Sequence, residues 1–264
     1  MVTVPHRNTV AGSDFVARLS SAFSHPTDVN KVIRSYDLRK ELLAQRPLRI
    51  ALAPDWSRCR EQRPGQEAKV SIAGVVRSLA ELSAESRHWD TVLSNMTQIP
   101  LLEADTAPEH RSAALPTRKG LPLLGKRSTL AERVQLWLSM LIGDEAIVKS
   151  LGLDTAALAE SVTRLSAQIP SQYFKGVRRE MPLIDINVLR FPDADYPFFE
   201  LYRLKIDAWF QRWPLFSFRR AANGFTGVFQ AYRFRPQKSI INDLAPQTVE
   251  KAVQEAEALL DSEG

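Results

Sequence analysis

Aromatic and basic residues are concentrated in one segment of the sequence, between Ser171 and Ile240. This segment holds 16 of the chain's 22 aromatic residues, together with 12 lysines and arginines against six aspartates and glutamates. Its net charge is therefore +6, whereas the whole chain carries +5, so the remainder is close to neutral. So sharp a change in composition near residue 170 predicts a structural boundary. The clustered positive charge favours an acidic partner, either nucleic acid or an acidic protein.

The overall composition excludes several classes of protein. The chain has 264 residues, of which 44% are apolar and 25% charged, as is typical of globular domains. No segment approaches the ~20 apolar residues of a membrane span, and no apolar stretch follows a basic start. We therefore expect a cytoplasmic protein without a membrane partner. Because Cys59 is the single cysteine and the four histidines lack ligand spacing, we expect no disulfide, metal or cofactor.

Hydrophobic periodicity and chain-breaking residues divide the sequence into five segments. Residues 1–12 are predicted to be a disordered tail, and residues 13–98 a mainly helical region with one short strand. Residues 99–127 contain four prolines and two glycines without a sustained period, which predicts a loop or linker. Residues 128–169 are predicted to be helical, and residues 170–264 to form a basic, aromatic-rich α+β unit. The predicted fold class is α+β.

The order of elements in the last segment follows from its spacing. Residues 182–191 alternate as a strand does. In residues 196–213 the polar side chains of Glu200, Arg203, Asp207 and Gln211 recur at three- and four-residue intervals, which predicts a helix. Asn-Gly at residues 223–224 lies between two apolar runs and predicts a tight hairpin turn. With a final helix over residues 247–260, the predicted order is β-α-β-β-α with an antiparallel hairpin.

The predicted hairpin brings arginines and aromatic residues onto adjacent strands. Exposed arginines beside aromatic rings are how several sheet modules hold phosphates and stack bases. The leading hypothesis is therefore a non-enzymatic nucleic-acid-binding or assembly protein that binds DNA or RNA and could form a homo-oligomer or a larger assembly. The candidate nucleic-acid-binding residues are Arg178, Arg179, Arg219, Tyr232, Arg233 and Arg235.

Three further hypotheses remain open at the sequence level. Pro54-Asp55, followed after eleven residues by Glu67-Ala68-Lys69, resembles the motif of PD-(D/E)xK nucleases. The resemblance implies that Asp55 and Glu67 hold Mg²⁺ while Lys69 assists the attacking water. Residues 144–163 resemble a helix-turn-helix, with an ordinary helical hairpin as the alternative. The arginines could also meet an acidic protein, which would make the chain an interaction adaptor.

Overall fold

The computed structural model describes residues 47–83, 87–118, 127–143, 154–167, 179–215 and 218–262. The predictions for residues 1–46, 119–126, 144–153 and 168–178 lie outside this set. The strands are β1 (Leu48–Asp55), β2 (Leu102–Ala104), β3 (Glu109–Arg118), β4 (Arg179–Arg190), β5 (Phe199–Leu215) and β6 (Phe218–Pro236). The helices are α1 (Ser57–Glu61), α2 (Gln66–Ala80), α3 (Trp89–Gln98), α4 (Arg127–Ile142), α5 (Thr155–Ala167), α6 (Lys238–Asn242) and α7 (Pro246–Asp261).

All six strands belong to one mixed sheet. Strands β1, β4, β5 and β6 are neighbours in that order, and β2 and β3 both pair with the far side of β6. The β1–β4 pair is parallel and the others are antiparallel. Strands from before and after residue 170 therefore hydrogen-bond to one another. Helices and a mixed sheet together confirm the α+β class.

The buried apolar residues form two clusters on opposite faces of the sheet. On β5, Leu201 belongs to the first cluster, whereas Tyr202 and Leu204 belong to the second. Because side chains alternate between the two faces of a strand, the clusters lie on either side of the sheet. The first cluster packs the sheet against α2, α3 and α7, and the second packs it against α4 and α5.

The helix predicted over residues 196–213 is wrong, because this segment contains β5. Tyr202, Leu204 and Ile206 are buried, while the residues between them are partly exposed. That alternation has the two-residue period of a strand. The helix was predicted because the polar residues of the same segment happen to recur every three or four positions. Buried neighbours on both sides then hold β5 in place, since Leu204 lies opposite Ile186 of β4 and Phe229 of β6.

The hairpin turn predicted at Asn223-Gly224 is also wrong. Both residues lie inside β6, and Gly224 is opposite Trp209 of β5 and Pro116 of β3. A Cβ added at Gly224 would come within 2.5 Å of the Leu115 carbonyl oxygen and 2.7 Å of the Trp209 ring. Gly224 is therefore needed for close packing inside the sheet and not for a turn.

Two parts of the predicted organisation need correction. The expected loop over residues 99–127 includes β2 and β3, and Pro116 is accommodated because β3 pairs only with β6 among the described strands. The C-terminal segment has the order β4, β5, β6, α6 and α7, so the predicted β-α-β-β-α order is wrong. An antiparallel hairpin is present, but β5 and β6 form it.

Several sequence predictions are confirmed. The final helix predicted over residues 247–260 is α7, and β1 is a strand within residues 13–98, where the sequence predicts a short one. Helices α2 and α3 lie within residues 13–98, and α4 and α5 lie almost entirely within residues 128–169, both of which the sequence predicts to be helical. In the part of the chain that the structure describes, no helix combines the length and apolar character that crossing a bilayer requires.

Candidate nucleic-acid interface

Among the described residues, β5 and β6 pair with each other past Arg179 of β4 and Arg118 of β3, which border the undescribed residues 168–178 and 119–126. β5 has 17 residues and β6 has 19, whereas β4 has 12 and β3 has 10. The last described pair with β4 is at Phe210, and the last described pair with β3 is at Ala222. Among the described residues, 212–215 and 218–221 therefore pair only with each other. We call these eight residues the ribbon; its four cross-strand pairs span about 13 Å.

The same end of the sheet is rich in arginine. We define the arginine end as residues 116–118, 179–180, 209–215 and 218–223, which come from β3, β4, β5 and β6. These residues include a single acidic residue, Glu180. Four of them are aromatic (Trp209, Phe210, Trp213 and Phe218), and five are arginines (Arg118, Arg179, Arg212, Arg219 and Arg220).

The register fixes how these arginines are distributed across the sheet. Within the ribbon, Arg220 lies opposite Trp213, and Arg219 lies opposite Pro214. At the base of the ribbon, Arg179 of β4 pairs with Phe210 on one side, and Arg118 of β3 pairs with Ala222 on the other. Four antiparallel strands thus bring together arginines that are separated by as much as 102 positions in the sequence.

A helix contributes a further arginine at this end. Arg133 of α4 is exposed, and its Nη2 donates a hydrogen bond to the carbonyl oxygen of Pro116 at 3.2 Å. Pro116 lies in β3, two residues before Arg118. A guanidinium has five donors, and this is the one hydrogen bond that Arg133 makes to the described residues.

The candidate residues predicted from the sequence do not form one patch. Arg219 and Arg179 lie at the arginine end, whereas Tyr232, Arg233 and Arg235 lie at the opposite end of β6. Arg219 and Arg233 are fourteen positions apart along a single strand, which corresponds to about 45 Å. The predicted turn at residues 223–224 would have placed them on adjacent strands of one hairpin. Arg178 lies outside the described residues.

At the opposite end of β6, Arg233 is bound to a buried acid. Its Nε and Nη2 lie 3.2 and 3.1 Å from Oε1 of Glu200, which is 6% exposed. The guanidinium also lies over the rings of Tyr196 and Phe198, with centroid distances of 5.3 and 5.6 Å. This side chain therefore has a structural role.

Glu200 is the centre of a buried hydrogen-bond network. It accepts hydrogen bonds from the hydroxyls of Tyr196 and Tyr202 and from Nη1 of Arg190. Nη2 of Arg190 also bonds to Asp193 at 3.3 Å, so two carboxylates balance two guanidiniums. Burial and the adjacent Glu200 carboxylate raise the pKa of both tyrosines, which keeps their hydroxyls protonated as donors.

Arg235 and Tyr232 also have partners within the chain. Nε of Arg235 donates to Oε1 of Glu103 at 2.8 Å, and its Nη1 lies 3.9 Å from Asp105. The Tyr232 ring meets Trp89 edge to face, with centroids 5.8 Å apart. Two acids compensate Arg235, and the ring packs against a helix, so this end of β6 has little uncompensated positive charge.

The three residues of the nuclease hypothesis are engaged in separate interactions. Oδ1 of Asp55 accepts hydrogen bonds from the backbone N–H and the hydroxyl of Ser57, at 3.1 and 2.6 Å. Glu67 lies in the first turn of α2, where the motif has a strand, and pairs with Lys238 at 3.2 Å. Lys69 pairs with Glu257 at 2.8 Å. No group of three or more His, Cys, Asp or Glu side chains among the described residues could hold a metal ion.

The helix-turn-helix resemblance is described only in its second helix. Asp154 accepts a hydrogen bond from the N–H of Ala157 and caps α5. Leu158, Val162 and Leu165 of that helix are buried in the second cluster. These residues pack α5 on the sheet, while the partner helix predicted before Gly152 lies outside the described residues.

The sheet faces themselves offer little aromatic surface for stacking bases. Tyr202, Phe225 and Phe229, whose rings would line one face, are 5%, 3% and 1% exposed. On the other face, Arg203 forms two hydrogen bonds with Asp185, and Lys205 pairs with Asp207. The ribbon and its base are therefore the part of the sheet where basic residues are gathered with the fewest acids beside them.

The sequence does not predict several residues that contribute to the arginine end or to the Glu200 network. Arg118 and Arg133 lie outside the C-terminal segment in which basic and aromatic residues are concentrated. Nothing in the spacing of Arg190 and Glu200 shows that a loop folds Tyr196 back onto them. Buried and partly exposed residues alternate over residues 202–208. This two-residue period is the sequence signal from which a strand, rather than a helix, could have been predicted here.

Comparisons with known proteins give no family for this chain. Neither protein-family models nor curated protein sequences match it. Among solved structures, activated Cyt2Ba from Bacillus thuringiensis subsp. israelensis has 7% identity and a TM-score of 0.32, over 66% of this chain and 95% of that one. A delta-endotoxin has 8% identity and a TM-score of 0.32, over 79% of this chain and 88% of that one. The Evf virulence factor has 10% identity and a TM-score of 0.25, over 89% of each chain. Similarity at this level carries no argument about function.

Proposed function

We propose that this protein binds nucleic acid through the arginine end of its sheet, as a non-enzymatic binding or assembly protein of the cytoplasm. The observation that carries the proposal is the register, which gathers five arginines from four strands beside one acidic residue. Clustered arginines increase the affinity for a polymer of phosphates, because each phosphate that they neutralise releases a condensed counterion.

The contrast with the rest of the chain supports this choice of surface. Three exposed basic side chains elsewhere have acidic partners: Arg63 pairs with Asp261, Arg235 with Glu103, and Lys238 with Glu67. Such pairs are nearly neutral as seen from outside the molecule and attract a polyanion weakly. Among the described residues, the exposed Arg133 of α4 donates instead to a neutral carbonyl oxygen, that of Pro116.

The test is direct binding by the full chain, measured by fluorescence anisotropy with a labelled DNA of about 20 base pairs over a range of salt concentrations. The test variant is Arg212→Ala/Arg219→Ala/Arg220→Ala. We expect binding at least about tenfold weaker and a log–log salt slope flatter by about one unit for each phosphate that is no longer neutralised. Replacing the same three arginines by lysine keeps the charges and should restore most of the affinity.

The matched control removes the same charge elsewhere. Arg63→Ala/Arg235→Ala/Lys238→Ala changes the net charge by the same three units at exposed, paired positions. We expect its salt slope to equal that of the wild type. If wild-type protein binds no nucleic acid at low salt, or if both triple variants weaken binding equally, the proposal fails. Retention of an acidic protein by the wild type but not by the test variant would then establish the adaptor hypothesis.

A further inference from the structure

The strand β3 and the helix α4 beside it form a surface that suits a second copy of this chain. We infer that two copies pair β3 with β3, antiparallel, about a twofold axis at Ser112, and that their α4 helices meet above the joined sheets. The juxtaposition that carries the inference is an exposed, uncharged strand edge beside two exposed large apolar side chains. The inference is independent of the proposed nucleic-acid binding.

β3 lies at the edge of the sheet. Among the described strands it pairs only with β6, so one side of its backbone has N–H and C=O groups without a strand partner. In an antiparallel ladder, alternate residues direct both groups to the same side. Pro116 has no N–H to donate and belongs to the set that points away from β6, and its carbonyl oxygen accepts a hydrogen bond from Arg133 of α4. His110, Ser112 and Ala114 therefore direct their backbone groups to the outer edge.

The middle of β3 lacks the features that usually prevent edge strands from pairing. Such strands are commonly protected by charges, prolines or bulges. Residues 112–115 of β3 are Ser-Ala-Ala-Leu, and Ser112 and Ala114 are exposed. The charged side chains lie outside this stretch, and Glu109 and Arg111 pair with each other. Two copies of this edge can therefore approach each other closely.

The backbone pattern selects one register for the paired edges. Residues that point outward must face one another, and with Ser112 opposite its counterpart, His110 and Ala114 face each other twice. These three pairs exchange about six hydrogen bonds. An axis nearer to the end of β3 would place Pro116 opposite His110 or Ser112, and hydrogen bonds would be lost. An axis nearer to its beginning would shorten the paired stretch.

α4 continues this surface above the edge of the sheet. Arg133 near its start and Ile142 at its end both form hydrogen bonds with β3, so the helix runs beside the strand. Leu136 and Met140 lie between these contacts, three and seven residues after Arg133, on the side of the helix that carries Arg133. Their exposed fractions are 65% and 73%.

A twofold axis at Ser112 brings the two helices together. The axis is perpendicular to the joined sheet, so both copies of α4 lie on the same face of it. Leu136 and Met140 of one copy then pack against the same residues of the other, which removes apolar surface from water. Because the joint uses the same surface of both copies, it closes as a dimer. For so small an interface we expect a dissociation constant on the order of micromolar.

The experiment is sedimentation velocity of the full chain without nucleic acid, from about 1 to about 100 µM, where we expect monomers to convert to dimers. Ser112→Lys places two lysines opposite each other at the axis and should weaken the dimer at least about fivefold. An equimolar mixture of Ser112→Lys and Ser112→Glu should recover it, because opposite charges then face each other. Ser239→Lys, the same exchange at an exposed position of α6, is the matched control and should dimerise like the wild type.

A second variant tests the contribution of α4. Leu136→Gln/Met140→Gln changes two exposed side chains and should weaken the dimer at least about tenfold, while far-UV circular dichroism confirms that each variant is folded. A chain that stays monomeric at the highest concentration, or a dimer that tolerates Ser112→Lys, would show that β3 does not pair with a second copy. If the mixture of the two charge variants fails to recover the dimer, Ser112 does not face its counterpart and the inferred joint is wrong.

Discussion

Glu200 of β5 and Arg233 of β6 lie directly opposite each other in the sheet, and the Arg233 guanidinium donates two hydrogen bonds to the Glu200 carboxylate. The same carboxylate is the partner of Arg190, and both Glu200 and Arg190 are at most 9% exposed. For Arg190, burial would lower the pKa, but Glu200 and a hydrogen bond to Asp193 outweigh burial and raise it. One acid therefore holds two guanidiniums at the end of the sheet opposite the ribbon.

This arrangement predicts a large effect of neutralising the acid. In Glu200→Gln, the buried Arg190 loses one of the two carboxylates that neutralise its charge and keeps the other, Asp193. We expect the free energy of unfolding to fall by about 3 kcal/mol, the usual cost of breaking a buried ion pair. Urea unfolding followed by tryptophan fluorescence measures this change.

The control for that variant is an exposed ion pair that also involves β6. Glu103→Gln removes the partner of Arg235, and the two side chains are 41% and 54% exposed. Because solvent screens such pairs, we expect a loss below about 1 kcal/mol. Equal losses in the two variants would mean that the Glu200 network contributes no more than a surface pair.

The buried thiol of Cys59 predicts a loss of stability at alkaline pH. Burial, followed by the nearby Asp193 carboxylate, raises the pKa of this thiol from about 9 to about 12. Between these values the unfolded chain releases the proton while the folded chain retains it, so stability falls as the pH rises above 9. By pH 10 the thiol alone should reduce the free energy of unfolding by about 1.4 kcal/mol.

Other groups also titrate in this range, so the measurement is a difference between two proteins. Cys59→Ala lowers stability by a constant amount through the space it leaves but has no thiol to titrate. We expect the wild-type curve to approach the Cys59→Ala curve between pH 8 and about pH 10 by the amount given above. Parallel curves over that range would contradict the raised pKa of the thiol.

The sequence defines some elements of this fold well and others poorly, for physical reasons. β1 and α7 each have a single dominant hydrophobic period and clear ends, so the local sequence pattern was sufficient to predict them. β5 combines buried residues on both faces with charges at a helical spacing, and its long-range pairing with β4 and β6 decides the outcome. The arginine end depends on the same pairing, because no local spacing relates Arg118 to Arg219.

Gly227 predicts a specific packing constraint between β6 and α4. A Cβ at this position would lie 2.4 Å from Cδ2 of Leu141 and 2.7 Å from the ring of Trp137. Gly227→Ala therefore forces α4 away from the sheet, and we expect a loss of about 1–3 kcal/mol in the free energy of unfolding. Chemical denaturation of the full chain measures it.

A second substitution tests whether that clash is the cause. Leu141→Val shortens the side chain that the new methyl group would meet. We expect Gly227→Ala/Leu141→Val to be less destabilised than the sum of the two single variants, with a coupling of at least about 0.5 kcal/mol. Strict additivity would show that the cost of Gly227→Ala arises elsewhere, for example from the backbone of β6.

Variants of Asp55 distinguish a carboxylate that accepts hydrogen bonds from Ser57 from a carboxylate that binds a metal ion. Its Oδ1 accepts two hydrogen bonds from Ser57 at the start of α1, and Asp55 is 8% exposed. Asp55→Ala should lower the free energy of unfolding by about 1–2 kcal/mol, whereas Asp55→Asn keeps an acceptor oxygen and should cost less. With Mg²⁺ and plasmid DNA, we expect no cleavage by wild-type protein or by either variant. Mg²⁺-dependent cleavage that disappears in both Asp55→Asn and Lys69→Ala would instead establish the nuclease hypothesis. A Mg²⁺ ligand uses the charge of the carboxylate, whereas the hydrogen bonds from Ser57 need only an acceptor oxygen.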